Sequence, residues 1–246
     1  MTLLILRFTV GQLVRQRRTL LLVLLAALPV ALALLFRLAA DVTPEETAEF
    51  ASGILTRFVV ALVLPLTALV VGTSALGQEI EDGTAVYLVG KPLPRWKVVL
   101  AKVGAAWLVT SAVVVLSVIA SGFVLLAGSD HNRIVLAFAA AVVAGALAYA
   151  AVFVSLSIRF SRALIFGLVY VFVWETLVSQ FIVGVRFLSV RAYTMSFVEW
   201  LATSSARLID SSLGLTPATI LMTLLTAVSL WYGIRRLQSF QISEQG

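Results

Sequence analysis

Six long apolar runs dominate the sequence and limit what it can fold into. They lie at approximately 19–40, 54–77, 98–128, 134–156, 163–185 and 215–234. Because a helix needs roughly 20 apolar residues to cross the hydrocarbon core of a bilayer, each run predicts a transmembrane helix. Only 12% of the residues are charged, which leaves too little polar surface to cover a water-soluble globule. The sequence therefore predicts an all-α integral membrane protein with six spans and excludes a soluble enzyme.

The residue types needed for several kinds of chemistry are missing. The chain has no Cys and one His, His131, which excludes disulfides, thiolate metal sites and His-rich metal sites. His131 lies in the short turn 128–133, where Asp130 and Asn132 are poor additional metal ligands. We therefore predict no metal site and no catalytic residue in this chain.

The positions of Lys and Arg predict the orientation in the membrane. An even number of spans places both termini on one side, and twelve of the eighteen basic residues fall on that side. Basic residues are retained preferentially in the cytoplasm. We therefore expect a multi-pass protein of the inner (cytoplasmic) membrane with both termini in the cytoplasm. The twelve are Arg7, Arg15, Arg17, Arg18, Lys91, Arg95, Lys97, Lys102, Arg159, Arg162, Arg235 and Arg236.

The formal net charge of +6 has the same explanation. In a membrane protein it is mostly a topology signal, and anionic lipid headgroups are the natural partners of clustered Arg side chains. We therefore expect the lipid bilayer, and no nucleic acid, as the partner of these charges.

Residues 1–18, ahead of the first span, have the pattern of an amphipathic helix. Apolar residues recur at helical spacing on one stripe, whereas the Arg residues lie mostly elsewhere. This pattern predicts a helix in the cytoplasmic interface. The stripe consists of Leu3, Leu6, Val10, Leu13 and Val14.

Residues 186–214, after the fifth span, are too polar to cross the membrane and too apolar for a free loop. Met195, Val198 and Ala202 recur at roughly helical spacing, while Glu199 shares another face with two further polar residues, Thr203 and Arg207. We expect short outer helices here, interfacial or re-entrant. They would either cap the bundle as a hairpin or act as a substrate gate.

The cytoplasmic loop at residues 78–97 predicts a short helix. Asp82 or Thr84 can cap its start, and it would end near Val89. Gly90 then suits the left-handed residue that follows a helix.

The rest of the loop predicts the start of the next helix. Pro92 prevents continuation of the short helix, and Pro94 suits the first turn of the helix that carries Arg95 into the third span. A helix of about seven residues does not persist alone in water, because nucleation costs more than so few hydrogen bonds return. Its apolar residues must therefore dock on the protein's own cytoplasmic face or on a partner, and the residues alone leave both open. These apolar residues are Val86, Tyr87, Leu88 and Val89.

One pattern in this loop resembles a known family. It reads Glu79-x-x-x-Gly83-Thr84-x-x-x-Leu88-x-x-Lys91-Pro92-x-x-Arg95, with Lys102 beyond it. This resembles the first cytoplasmic loop of ABC-2 type transporter permeases. The Arg-rich amphipathic helix before the first span, the six spans and the outer excursion after the fifth are similar to the architecture of that family.

The resemblance implies partners and site residues. It implies that residues 79–89 form a coupling helix seated in a cleft of a separate ATPase, and that two permeases, identical or related, assemble with two ATPase copies. ATP and Mg²⁺ would then bind the ATPase, with no cofactor in this chain. The implied ATPase contacts are Glu79, Glu81, Asp82, Gly83, Thr84, Val86, Tyr87, Leu88 and Val89, and the implied structural residues of the loop are Gly90, Lys91, Pro92, Pro94 and Arg95.

The chain itself lacks a phosphate-binding loop for ATP. Its nearest approach is Gly72-Thr-Ser-Ala-Leu-Gly77-Gln78-Glu79, which has neither the phosphate-binding Lys nor the hydroxyl that binds Mg²⁺. We therefore expect a permease and not an enzyme.

Glu175 is the acidic residue that the sequence places inside the bilayer, with Tyr170 and Trp174 on the same predicted span. An acid at mid-membrane costs roughly 2.5–3.5 kcal/mol on insertion scales, so it must face a partner or an aqueous cavity. One interpretation is a structural Glu bonded to a neighbouring helix through Arg57 or a span Ser or Thr. The other is a translocation pathway lined by all three residues.

The function predicted from the sequence is the permease subunit of an ATP-driven exporter. Two alternatives from other classes stay open at this point. One is an ion- or proton-coupled carrier centred on Glu175, and the other is a non-transporting membrane scaffold.

Overall fold

The computed structural model describes residues 2–15, 17–39, 43–81, 94–126, 132–160, 162–178, 187–202 and 213–239. These residues form helices and no strand, which confirms the all-α prediction for the described part of the chain. The helices are α1 (Thr2–Arg15), α2 (Arg17–Ala39), α3 (Pro44–Ile54), α4 (Leu64–Glu81), α5 (Arg95–Leu126), α6 (Asn132–Arg159), α7 (Ala163–Val169), α8 (Val190–Ala202) and α9 (Leu215–Ser239). Two π-helical segments, π1 (Leu55–Val63) and π2 (Tyr170–Val178), continue α3 into α4 and extend α7.

Five helices in the described residues are long and apolar enough to cross a membrane. They are Arg18–Ala39, Glu45–Gly77, Arg95–Leu126, Arg133–Arg159 and Leu215–Gln238, and they correspond to the first, second, third, fourth and sixth predicted spans. The fifth predicted span, 163–185, is helical from Ala163 to Val178. The count of six therefore stays a prediction.

The helix that contains the second predicted span begins ten residues before the apolar run. Pro44 occupies the first turn of α3, and Thr43 caps the helix by accepting a hydrogen bond from the Glu46 amide. The Glu46 carboxylate accepts in return from the Thr43 amide at 2.9 Å. This reciprocal capping box satisfies two backbone donors and starts the helix before its apolar part begins.

Helix α6 lies at the centre of the bundle, where it packs against α4, α5, α8 and α9. Phe138, Tyr149 and Phe153 on α6 are fully buried. Gly72 on α4 allows close approach, because a Cβ there would lie 2.9 Å from the Cβ of Phe153. Small residues at helix contacts let backbones approach closely and increase the packing attraction that holds membrane helices together.

Helices α2 and α9 lie at the periphery. Buried residues make up 22% of the most apolar window of α2 and 17% of that of α9, against 61% for α6. Leu20, Leu24, Leu224 and Val228 expose their apolar side chains on these two helices. Such surfaces suit contact with lipid or with another membrane subunit.

Helix α1 packs against α5, and its apolar stripe is only partly buried. Leu13 is buried, and Leu6 lies against Gly104 of α5, whereas Val14 is exposed. The predicted helix is therefore present, and its position at the membrane interface stays a prediction.

Pro29 lies inside α2 and removes a donor from the helix. It offers no N–H to the Leu25 carbonyl, and its ring disturbs the preceding turn. The Ser117 hydroxyl of α5 donates a hydrogen bond of 2.6 Å to the Ala26 carbonyl in that turn. Side chains of neighbouring helices commonly supply donors where Pro interrupts a transmembrane helix.

Ser117→Ala is therefore expected to lower the free energy of unfolding by about 1 kcal/mol, the net value of one hydrogen bond. Unfolding in mixed detergent micelles would measure the change. The matched control is Ser121→Ala on the same helix, because the Ser121 hydroxyl bonds the Ser117 carbonyl of its own helix at 2.7 Å. Equal losses in both variants would contradict a specific role for Ser117 at the Pro29 turn.

Candidate functional site

Glu175 lies in π2 with only 2% of its side chain exposed. Donors to its carboxylate among the described residues include a hydroxyl at the start of α8, a backbone amide and a Tyr hydroxyl. The Ser189 hydroxyl donates to Oε2 at 2.5 Å, the Val190 amide donates to Oε1 at 2.9 Å and the Tyr170 hydroxyl donates to Oε1 at 3.2 Å. These donors lower the cost of placing a carboxylate in an apolar interior.

Two of the three donors belong to the beginning of α8. The Ser189 hydroxyl also accepts a hydrogen bond from the Ala192 amide at 3.2 Å, and the Ser189 carbonyl accepts from the Tyr193 amide at 3.3 Å. Ser189 is therefore the N-cap of α8, and Glu175 supplies a second acceptor from π2. A carboxylate is favoured at this end of a helix because the unpaired amides and the helix dipole place partial positive charge there.

The π winding allows the third hydrogen bond. Tyr170 and Glu175 are five residues apart, which in an α-helix would place them about 140° apart around the axis. The wider turn of a π-helix brings residues at this spacing onto one face. The Tyr170–Glu175 contact therefore depends on the π winding of this segment.

Helix α8 packs along α6 and reaches α9. A Cβ on Gly145, in the middle of α6, would lie 2.4 Å from the Thr194 hydroxyl oxygen. The Ser196 hydroxyl donates to the Leu213 carbonyl at 2.9 Å, just before α9. The short polar helix predicted after the fifth span is thus packed against the central helix.

Aromatic side chains connect Glu175 to the core of α6. The Phe153 ring stacks on Tyr149 with centroids 5.8 Å apart and meets Tyr170 edge-on at 6.1 Å. Tyr149 is fully buried and lies close enough to Glu175 to interact with it electrostatically. Among the described residues, its hydroxyl has no hydrogen-bond partner within normal geometry.

The structure brings together two of the three residues predicted on the fifth span. Tyr170 contacts Glu175, whereas the Trp174 indole donates to the Leu188 carbonyl at 3.3 Å. Arg57, one of the partners considered for Glu175, is exposed. A role for these residues in a translocation pathway stays a prediction.

Sequence reasoning missed Ser189 and Val190. They lie 14 and 15 residues beyond Glu175, in a segment predicted to be at the outer surface. Ser189 lies directly before an apolar helical pattern, and Ser at such a position is an N-cap signal. This signal could have located the start of α8. No local signal would have paired it with Glu175.

The predicted coupling loop is only partly described. Helix α4 continues through Glu79 to Glu81, and Arg95 begins α5 directly after Pro94, whose carbonyl accepts from the Lys97 amide at 2.9 Å. Residues 82–93 lie outside the described part, and with them the other predicted ATPase contacts and Gly90, Lys91 and Pro92. The roles of Glu79 and Glu81 at an ATPase also stay predictions.

The two helices that flank this loop pack against each other. On α5, Lys102 is buried with 2% of its side chain exposed, while Lys97 lies over the Trp96 ring at 5.4 Å from the centroid. Residues 82–93 therefore connect two helices that pack against each other.

Comparison with known proteins adds a match over nearly the whole chain. A family model described as "ABC-2 family transporter protein" matches residues 3–238. The matched range includes α1, all five long apolar helices, π2 and α8. No curated protein matches the chain.

Proposed function

The chain belongs to the ABC-2 family of transporter membrane proteins, and from this premise we propose that it is the permease of an ATP-driven exporter. In this role it couples ATP hydrolysis by a separate ATPase subunit to movement of a substrate across the inner membrane. The family match over residues 3–238 carries the proposal.

The loop between α4 and α5 is proposed as the contact with the ATPase. Its sequence contains a short helix-forming segment with the apolar residues 86–89, and such a segment needs a surface to hold it. Its place in the chain supports the proposal, because it connects α4 and α5, which pack against each other and carry the second and third spans.

ATP and Mg²⁺ are proposed to bind the partner ATPase. The nearest approach to a phosphate-binding loop in this chain, residues 72–79, lacks the Lys and the hydroxyl that such a loop needs. Gly72 has a packing role instead, since it lies against Phe153 in the bundle.

We further propose six spans and an assembly of two permeases with two ATPases. The helix from Ala163 to Val178 is apolar and leads into residues 179–185 of the fifth apolar run, which supports a fifth crossing. The exposed apolar surfaces of α2 and α9 support contact with a second permease, identical or related.

Purification in mild detergent from the native cell tests the proposal. Mass spectrometry of the purified complex should identify an ABC ATPase in a 1:1 ratio with the permease, and the complex should hydrolyse ATP. Purification of the permease without any ATPase under conditions that preserve membrane complexes would contradict the proposal. It would favour the carrier or scaffold alternatives.

Labelling of single cysteines tests the topology. The chain has no natural Cys, so each introduced thiol gives an unambiguous signal. Exposed positions are available at both ends of the spans, with Glu49 and Arg133 proposed outside and Arg159 and Gln238 proposed inside. In intact cells an impermeant thiol reagent should label only cysteines at the first two positions. Labelling at Gln238 without permeabilisation would disprove the proposed orientation.

A further inference from the structure

Glu175 links two segments that are separated along the chain, π2 and the first turn of α8. Its hydrogen bonds to Ser189 and Val190 fix the N-terminal end of α8. In the middle of the helix, Ser196 bonds the Leu213 carbonyl next to α9. Helix α8 is thus fixed at two points, and Glu175 supplies the one at its N-terminal end.

We propose that Glu175 is a positioning residue for transport, which seats the N-terminal end of α8 through the length and hydrogen-bond acceptors of its side chain. The transport role rests on the proposed function, whereas the seating of α8 can be tested without it. In this role the carboxylate acts within the permease and does not contact the cargo.

The carboxylate has little capacity left for a cargo contact. Oε1 already accepts from the Val190 amide and the Tyr170 hydroxyl, and Oε2 accepts from the Ser189 hydroxyl at 2.5 Å. Two donors fill the lone-pair directions of one carboxylate oxygen. Glu175 is also buried, with only 2% of its surface exposed.

The same carboxylate connects the winding of π2 to the position of α8. Oε1 bonds both Tyr170, five residues earlier in π2, and Val190 in α8. In α winding, Tyr170 and Glu175 would lie about 140° apart around the helix axis and could not make this contact. Through Oε1, the π winding of this segment is therefore linked to the N-terminal end of α8.

Two substitutions separate positioning from charge. Glu175→Asp keeps the charge but shortens the side chain by one methylene group, so it withdraws the acceptors from Ser189 and Val190. Glu175→Gln removes the charge but keeps the length and one acceptor oxygen, and the Ser189 hydroxyl can turn to accept from the amide. If Glu175 acts by positioning, Glu175→Asp should lose the seating of α8 and the activity of the transporter, and Glu175→Gln should keep both. If Glu175 acts through a charge contact with cargo, Glu175→Asp should keep activity and Glu175→Gln should lose it.

Disulfide formation between Gly145→Cys and Thr194→Cys reports the seating of α8. A Cβ at position 145 would lie 3.3 Å from Cγ2 of Thr194, and Thr194→Cys removes this methyl group and the nearby hydroxyl, so the pair does not force the two helices apart. No other cysteine is present. The control pair is Ser155→Cys with Gly233→Cys, where the Cβ atoms would be 3.5 Å apart on α6 and α9, within the range of disulfides. The control pair does not involve α8.

In the purified protein, Glu175→Asp is expected to slow formation of the 145–194 disulfide by at least about tenfold, because loss of even one of its hydrogen bonds to Ser189 and Val190 has an effect of this size. In Glu175→Gln the rate of disulfide formation should stay within about threefold of the parent rate, because this side chain keeps its length and one acceptor oxygen. The 155–233 disulfide should form at the parent rate in both variants. In the complex with its ATPase, ATP hydrolysis should fall in Glu175→Asp and persist in Glu175→Gln.

A parent rate of 145–194 disulfide formation in Glu175→Asp would overturn the proposal. Loss of seating in both variants would overturn the claim that acceptor geometry matters more than charge.

If neither variant purifies, Ser189→Ala tests the same contact from α8 and should slow the formation of the 145–194 disulfide. Its matched control is Ser157→Ala, because the Ser157 hydroxyl bonds its own helix at 2.7 Å; equal rates in these two Ala variants would also overturn the proposal. Because the disulfide rates need no ATPase, their failure is distinguishable from failure of the transport function.

Discussion

Gly145→Leu is expected to destabilise the bundle by about 3 kcal/mol, the upper part of the usual range for overpacking. Gly145 lies where α6 meets two other helices. A Cβ at this position would be 2.4 Å from the Thr194 hydroxyl oxygen and 3.1 Å from Cδ2 of Leu64. Thr194 is β-branched and therefore stiff, so a larger side chain forces α8 away from α6. Thermal or denaturant unfolding in detergent would measure the loss.

The matched control for this prediction is Gly53→Leu. Nothing lies within 4 Å of a Cβ at Gly53, so the new side chain has room, and replacing Gly in a helix stabilises it by up to about 1 kcal/mol. The two variants introduce the same chemical change and should shift stability in opposite directions. A Gly145→Leu variant as stable as Gly53→Leu would show that α8 does not pack on α6 at this point.

Tyr87→Asp is expected to release the ATPase subunit from the permease. The proposed coupling helix docks through the apolar residues 86–89, and an unpaired charge in a buried contact costs several kcal/mol, of the order of 3–5 when fully buried. A loss of this size lowers affinity by at least about 100-fold. Co-purification of the ATPase with the permease would measure it.

Tyr87→Phe is the control for this change, because it keeps the apolar ring and removes only the hydroxyl. The Phe variant should retain the ATPase, and the Asp variant should still fold, as shown by parent rates of the 155–233 disulfide. Normal ATPase association in Tyr87→Asp would contradict the coupling role of this loop.

Much of the helical architecture could be predicted from local sequence, because lipid imposes a simple rule. A spanning segment must satisfy its backbone hydrogen bonds internally and be apolar for about 20 residues. Five of the six predicted spans therefore correspond to long helices in the structure, and Pro94 correctly marked the start of the helix at Arg95. The resemblance in the loop at residues 79–102 also agreed with the family match.

Boundaries set by side-chain caps were harder to predict. The second span was placed at 54–77 from its apolar residues, yet the helix begins at Pro44. The sequence contains the Thr43 and Glu46 of the capping box, but these polar residues lie outside the apolar run that marks the span. Neither π segment was predicted, since the change from α to π winding leaves no distinct pattern of residue types.

The sequence by itself determined that this chain is a helical membrane protein and that Glu175 needs a partner. Both conclusions follow from the cost of exposing polar groups to hydrocarbon, which depends on residue type and local spacing. Only the tertiary structure decided which partners Glu175 has. Ser189 and Val190 reach it because α8 packs against α6 and π1 and because π2 turns Tyr170 and Glu175 onto one face. Those contacts arise from the packing of distant segments, which no local periodicity in the sequence encodes.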